Sequence, residues 1–246
     1  YRRHTNFAME SIEQTFNGTV GFGNRVTCTV SRNGDLVHRM YLQSNVATTG
    51  SAPNLGHQLL SEVELEVGGQ RVDKHYADWL EVWSQLSLSE GVRAGYETMT
   101  GKAAAGNATH TLYVPLQFWF CRNPGLALPL IALQYHEVKV KLTTNPMKAL
   151  TNQAVGTPVA ADTGSAAGVK LWADYIYLDT DERRRFAQVS HEYLIEQVQR
   201  ETGTMAAAGG THSQKLNFNH PVKELIWVGQ VTNATTINAG DTSAIT

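Results

Sequence analysis

The sequence predicts an all-β protein, an antiparallel jelly-roll sandwich with few short helices. Three observations carry this. Apolar and polar residues alternate with period two in many short runs, as strands with one buried face do. Glycine, proline and asparagine gather between those runs and supply turn chemistry. Only Ala77 to Leu88 switches to helical spacing, whereas a parallel α/β fold needs helices between successive strands.

Taken in order, residues 1–13 (YRRHTNFAMESIE) mix charge and apolar groups and read as an extended arm or short edge strand. Asn17-Gly18 is the pair that favours a type I′ hairpin turn. Val26, Cys28 and Val30 share one face of the next strand. Asn33-Gly34 marks a second turn, after which Leu36, His38, Met40 and Leu42 resume the alternation. Glu62 to Val67 alternates most cleanly: Val63, Leu65 and Val67 point one way and Glu62, Glu64 and Glu66 the other, toward solvent or a partner. Gly68-Gly69 ends it, and Gln70 to Tyr76 returns as its partner. Trp79, Leu80, Val82, Trp83 and Leu86 then fall on one helix, packed on a sheet end.

The organising stretch is 112–142, LYVPLQFWFCRNPGLALPLIALQYHEVKVKL. Leu116, Phe118 and Phe120 alternate with Gln117, Trp119 and Cys121, which predicts a strand with bulk on both faces. Arg122-Asn123-Pro124-Gly125 is a turn, and Val138, Val140 and Leu142 form a half-buried strand with a charged outer face. The apolar run Leu126 to Leu133 is far short of the ~20 residues that span a bilayer. Val169 to Asp179 is a further strand, Asp181 to Gln188 a charged turn or short helical piece, and Tyr193 to Gln199 and Leu225 to Val228 the last strands. Small-residue segments at 101–106, 145–168 and 202–210 read as exposed loops.

Composition narrows the function. The 246 residues are 42% hydrophobic and 17% charged with net charge −2, and the one basic block is Arg183-Arg184-Arg185, too little for direct nucleic-acid binding. That block is either a solvated turn or a contact to a neighbouring domain or subunit. Cys28 and Cys121 cannot build a disulfide framework and read as buried free thiols from a reducing compartment. The chain opens on Tyr1 in mid-pattern and closes on a polar DTSAIT tail, as a piece of a longer protein would.

Catalytic chemistry is not found. Nine histidines include no His-x-His, and His136-Glu137 and His191-Glu192 do not continue to HExxH, so no metal or cofactor is expected. GxSxG, GxxxxGK[ST] and GxGxxG are absent, and Gly21-Phe22-Gly23 precedes a strand rather than a helix. Glu64 and Glu66, about 7 Å apart on one strand face, carry no glycosidase signature. Asn17, Asn107 and Asn233 head Asn-x-Thr sequons and are candidate glycosylation sites. A carbohydrate-binding, lectin-like jelly roll is the alternative function, and it requires Trp119 or Trp172 exposed in a groove.

The segments YRRHTNFAMESIEQTFNG, SRNGDL, VELEVGGQRVDKHYADW, VPLQFWFCRNPGLALPLIALQYHEVK, ADYIYLDTDERRRFAQVSHEYLIEQVQ and LNFNHP closely resemble the major capsid protein of nucleocytoplasmic large DNA viruses, nearest the algal-virus branch. The resemblance spans about residues 1–228. It implies a structural, non-enzymatic protein of two consecutive jelly rolls that forms a homotrimer. The trimer is a pseudo-hexagonal capsomer tiling an icosahedral virion shell over an inner membrane, assembled in the host cytoplasm beside neighbouring capsomers and minor capsid proteins. It also implies that 1–185 is the first jelly roll, 186–200 the crossing and 201–246 the opening of a truncated second jelly roll. Loops at 84–110 and 145–168 would crown or flank the tower, or meet neighbouring subunits. The family's N-terminal arm is largely missing ahead of Tyr1, and the low-complexity loops match nothing in the pattern.

Overall fold

Two five-stranded antiparallel sheets pack face to face in a computed structural model that describes residues 5–48, 54–104, 108–146, 167–204 and 211–229. The strands are β1 Phe7–Gln14, β2 Phe16–Asn17, β3 Arg25–Thr29, β4 Leu36–Thr48, β5 Leu60–Val67, β6 Gln70–Tyr76, β7 Ala108–Pro115, β8 Leu128–Pro129, β9 Val138–Thr144 and β10 Ala167–Leu178. One sheet runs β1-β10-β4-β7, with β8 also on β4; the other runs β2-β3-β9-β5-β6. The helices are α1 Leu55–Gln58, α2 Ala77–Ser87, α3 Glu90–Thr100, α4 Trp119–Arg122 and α5 Thr180–Gln188.

The core lies where the period-two rows place it. Val26 and Cys28, Val63 and Leu65, and Val138, Val140 and Leu142 face inward from one sheet. Met40 and Leu42, Leu112 and Val114, and Leu171, Ala173 and Tyr175 meet them from the other. Register follows from this pairing of faces, because a one-residue slip would turn every aliphatic outward. Leu55, Leu59 and Leu80 add helical side chains to the same cluster. At Gly68-Gly69, φ is +59° and +85°, the two positive values a two-residue β5–β6 hairpin needs.

Several expectations are corrected. Asn17-Gly18 is no type I′ turn: Gly18 has φ +104°, Asn17 is not left-handed, and β2 pairs with β3 across residues 18–24. Gly34 serves close approach rather than a positive φ, since an added Cβ would sit 2.8 Å from the Cβ of Tyr175. The strand read through Leu116 and Phe120 stops at Pro115, and α4 replaces it. Phe118, Trp119 and Phe120 are all buried in succession where extended backbone at Phe118 passes into α4.

The region read as a loop from 84 onward is instead the end of α2, then α3. The sequence of α3, EGVRAGYETMT, buries only Thr100 and so shows no apolar stripe. Of the two readings of the charged stretch after Asp179, a turn or a short helical piece, the helical one holds: α5 starts with the Asp179 side chain accepting from Thr180 N–H. Tyr193–Gln199 and Leu225–Val228 join no ladder among the described residues and run outside regular structure.

Candidate assembly surfaces

The outer face of the β2-β3-β9-β5-β6 sheet is an ion-pair lattice rather than a solvated row. Glu64 is only 6% exposed and takes Arg25 at 2.5 Å, Lys74 at 3.3 Å and Arg71 at 3.5 Å. Lys74 also pairs with Glu62, Lys141 with Glu66, and Lys139 with Glu137 at 2.8 Å. Burial pushes the Glu64 carboxyl up, but the Lys74 hydrogen bond and the charges of Arg25, Lys74 and Arg71 outweigh it. The net result lies below the ordinary 4.5. A carboxyl lowered in the folded state stabilises fully above its unfolded value, and loses that contribution as pH falls through its folded one. The thermal midpoint is therefore expected to hold from pH 7 to about 5 and to fall below about 4.5. In Glu64→Gln that acid slope should flatten; an identical slope in calorimetric scans across pH would count against Glu64 as a source.

The opposite outer face is aromatic. Tyr41 and Trp172 stack at 6.3 Å and 8°, and Tyr113 tilts against Tyr41 at 6.3 Å. The indole N–H of Trp172 donates to Gln43 Oε1 at 2.8 Å. Trp172 is thus half-buried on a sheet face, and Trp119 is 4% exposed inside the core, so neither meets the groove requirement of a lectin-like site. On the edge strand β1, Phe7 and Met9 are 66% and 52% exposed.

A buried polar triad pins the helices. His57 Nδ1 lies 2.7 Å from Glu81 Oε2 and its Nε2 2.9 Å from the Tyr96 hydroxyl, joining α1, α2 and α3. Burial pushes the Glu81 carboxyl up, but hydrogen bonds from His57 and Gln85 bring it below its ordinary value; burial raises the Tyr96 hydroxyl. The string looks like a catalytic relay, yet the cavity beside it holds only about 10 Å³, about one water, with no room for a substrate. The other buried histidines among the described residues are His38, whose Nδ1 lies 2.8 Å from Phe120 O, and His75. No group of three or more metal-ligating side chains gathers among the described residues.

The residues singled out by sequence do not converge. Asn17 is exposed on β2, while Asn107 and Asn233 lie outside the described residues. Arg183 Nε pairs at 2.9 Å with Asp35 Oδ1, whose Oδ2 accepts from Leu178 N–H at 2.8 Å. Arg184 and Arg185 are exposed on α5. Phe186 of that helix packs on Leu36, Ala127, Ile176 and Leu178, a small cluster separate from the main core. Sequence reading missed the pairing of Arg183, because Asp35 follows the Asn33-Gly34 turn and nothing local marks it as buried.

Both cysteines are free thiols. Burial pushes Cys28 up to about 11 and Cys121, which keeps part of its surface, up to about 12. Thiolate is the reactive form, so Ellman's reagent at pH 8 should titrate neither thiol in the native chain and both after denaturation. Rapid native labelling would contradict this.

Two antiparallel sheets packed face to face, with an ion-pair lattice outside one and aromatic rings outside the other, define an all-β jelly-roll sandwich. Comparison then specifies it. The family described as major capsid protein N-terminus matches residues 1–179, and that described as large eukaryotic DNA virus major capsid protein matches 182–242. The chain belongs to the major capsid protein family of large eukaryotic DNA viruses, whose members are structural proteins and not enzymes.

The major capsid protein of Pyramimonas orientalis virus is 55% identical over 93% of this chain and 58% of its own. That of Phaeocystis pouchetii virus is 48% identical over 94% of this chain and 53% of its own. A quasi-atomic structure of the PBCV-1 virus capsid superposes with TM-score 0.73 at 46% identity, over 80% of this chain and 48% of that one. The Faustovirus major capsid protein shares the fold alone, with TM-score 0.59 at 12% identity over 76% of this chain and 57% of that one. The chain spans about half the length of the relatives it matches.

Proposed function

We propose that the chain is the leading half of a subunit that trimerises into a pseudo-hexagonal capsomer and tiles an icosahedral shell. Residues 1–185 form the first jelly roll, 186–200 the crossing, and 201–246 open the second. The observation that carries this is the pair of capsid family matches, which run in succession along 1–179 and 182–242. Likeness to the PBCV-1 capsid supports it. So do the exposed Leu194, Leu216, Leu225 and Trp227, apolar surface of the kind that further protein covers.

In this reading the ion-pair lattice, the aromatic face and Arg184-Arg185 face neighbouring barrels and subunits. Obligate contacts of that kind bury upwards of about 2,000 Å². Neighbouring capsomers and minor capsid proteins are the partners, with an inner membrane beneath the shell. No described helix is long and apolar enough to cross that membrane. Assembly takes place in the host cytoplasm, and the glycan acceptors are Asn17, Asn107 and Asn233.

Light scattering on the full-length protein tests the trimer. A stable mass three times that of the chain, unchanged by chelator, is expected. A particle that stays monomeric across salt and concentration would overturn the capsomer reading.

A further inference from the structure

Strand β6 is the outer edge of its sheet, and its inward row departs from the aliphatic chemistry of its neighbours. Where β5 presents Val63 and Leu65, β6 presents Asp73 and His75, 3% and 0% exposed. A carboxylate that deeply buried is costly unless its oxygens are engaged. Here Oδ1 accepts the backbone N–H of Lys74 at 2.9 Å and that of Val198 at 3.0 Å, whereas Oδ2, 2.9 Å from His75 Nε2, accepts no hydrogen bond among the described residues. Val198 is 125 positions away in sequence, so one of the two backbone donors to Asp73 comes from a distant segment.

That segment is tied down at every residue. Glu196 pairs with Arg122 at 3.2 Å and with Lys223, and Arg122 stacks 4.7 Å above the Trp83 ring. The Gln197 amide donates to Val72 O on the free edge of β6. Gln199 uses both ends of its amide on the backbone of Asn219, at 2.9 and 3.0 Å. Arg200 pairs with Asp78 at 2.8 Å and lies 4.7 Å above the Tyr76 ring. Open sheet edges invite unwanted pairing and are commonly covered.

We propose that Glu196–Arg200 is a strap that closes the β6 edge and fixes where the 219–223 segment begins, with the Asp73 carboxylate as its docking point. The strap side presents a backbone donor and the barrel side a buried acceptor, so the two can be removed separately. Val198→Pro deletes the donor and leaves the barrel's side chains intact, whereas Val198→Ala keeps it. Asp73→Ala deletes the acceptor and Asp73→Asn retains an oxygen.

Trypsin cleavage after Arg200 in the full-length protein reads strap opening, since cleavage of a tied segment tracks how often it opens. Cleavage should accelerate roughly tenfold to a hundredfold in Val198→Pro and Asp73→Ala, the effect of losing a hydrogen bond to a charged group. Val198→Ala and Asp73→Asn should stay within about threefold of the parent. Amide exchange at Asn219 should quicken with the Val198→Pro release. Cleavage of Val198→Pro at the parent rate would overturn the docking point, and unchanged exchange at Asn219 would overturn the positioning role. If Asp73→Ala fails to fold, the proline and alanine pair at 198 still decides the matter.

Discussion

Phe118→Ala is expected to lower the unfolding free energy by about 3–5 kcal/mol, the usual range for emptying a buried aromatic site. Phe118 is fully buried, stacks on His75 at 4.9 Å and on Phe120 at 5.8 Å, and sits where the chain turns from β7 into α4. Aromatic pairs add to the area term. The cavity left behind would be bounded by β-sheet and ring neighbours that cannot collapse into it freely. Equilibrium denaturation in guanidinium would report the change as a shift of midpoint at constant slope. A loss below about 1 kcal/mol would mean that the α4 turn repacks, and that it does not plug the sandwich as its burial indicates.

His57→Ala carries the second large effect, for an electrostatic reason. Its ring bridges the Glu81 carboxylate and the Tyr96 hydroxyl, so its removal strands both. Breaking a buried pair from one side costs about 3–5 kcal/mol, because the remaining charge loses its compensation. Glu81 keeps the Gln85 amide at 2.9 Å, which softens the loss, so about 2–4 kcal/mol is expected. Replacing His57 and Glu81 together should cost less than the sum of the single changes. Strict additivity in that double-mutant cycle would mean that the triad does not pin α2 and α3 to α1.

These two residues mark how far local sequence reaches. The inward rows of β3, β4, β5, β9 and β10 were readable because strand side chains alternate and one sheet face is dry. The Gly68-Gly69 hairpin was readable because few residues accept two successive positive φ values. Phe118 was recognised as core material, but its conformation was not. A run of bulky residues is equally compatible with a two-faced strand and a helical turn until the space around it is known. The helix α3 stayed hidden because its burial is slight and its glycines argue against it. Arg183 read as a solvated turn charge or a contact to a neighbouring domain or subunit, and its partner Asp35 lay in a separate turn.

By itself the sequence determined the all-β sandwich, the composition of its core, the free thiols and the kinship with capsid proteins, since each rests on periodicity, composition or long ordered motifs. Only the tertiary structure decided which charges are spent inside the chain. Glu64 alternates like a solvent-facing residue, yet three cations from β3 and β6 enclose it. Asp73 lies on the inward row of β6, and it takes a hydrogen bond from the backbone N–H of Val198, which reaches back to it across the fold. The free energy of a buried charge depends on the partners that surround it, and those partners are set by folding rather than by neighbours in sequence.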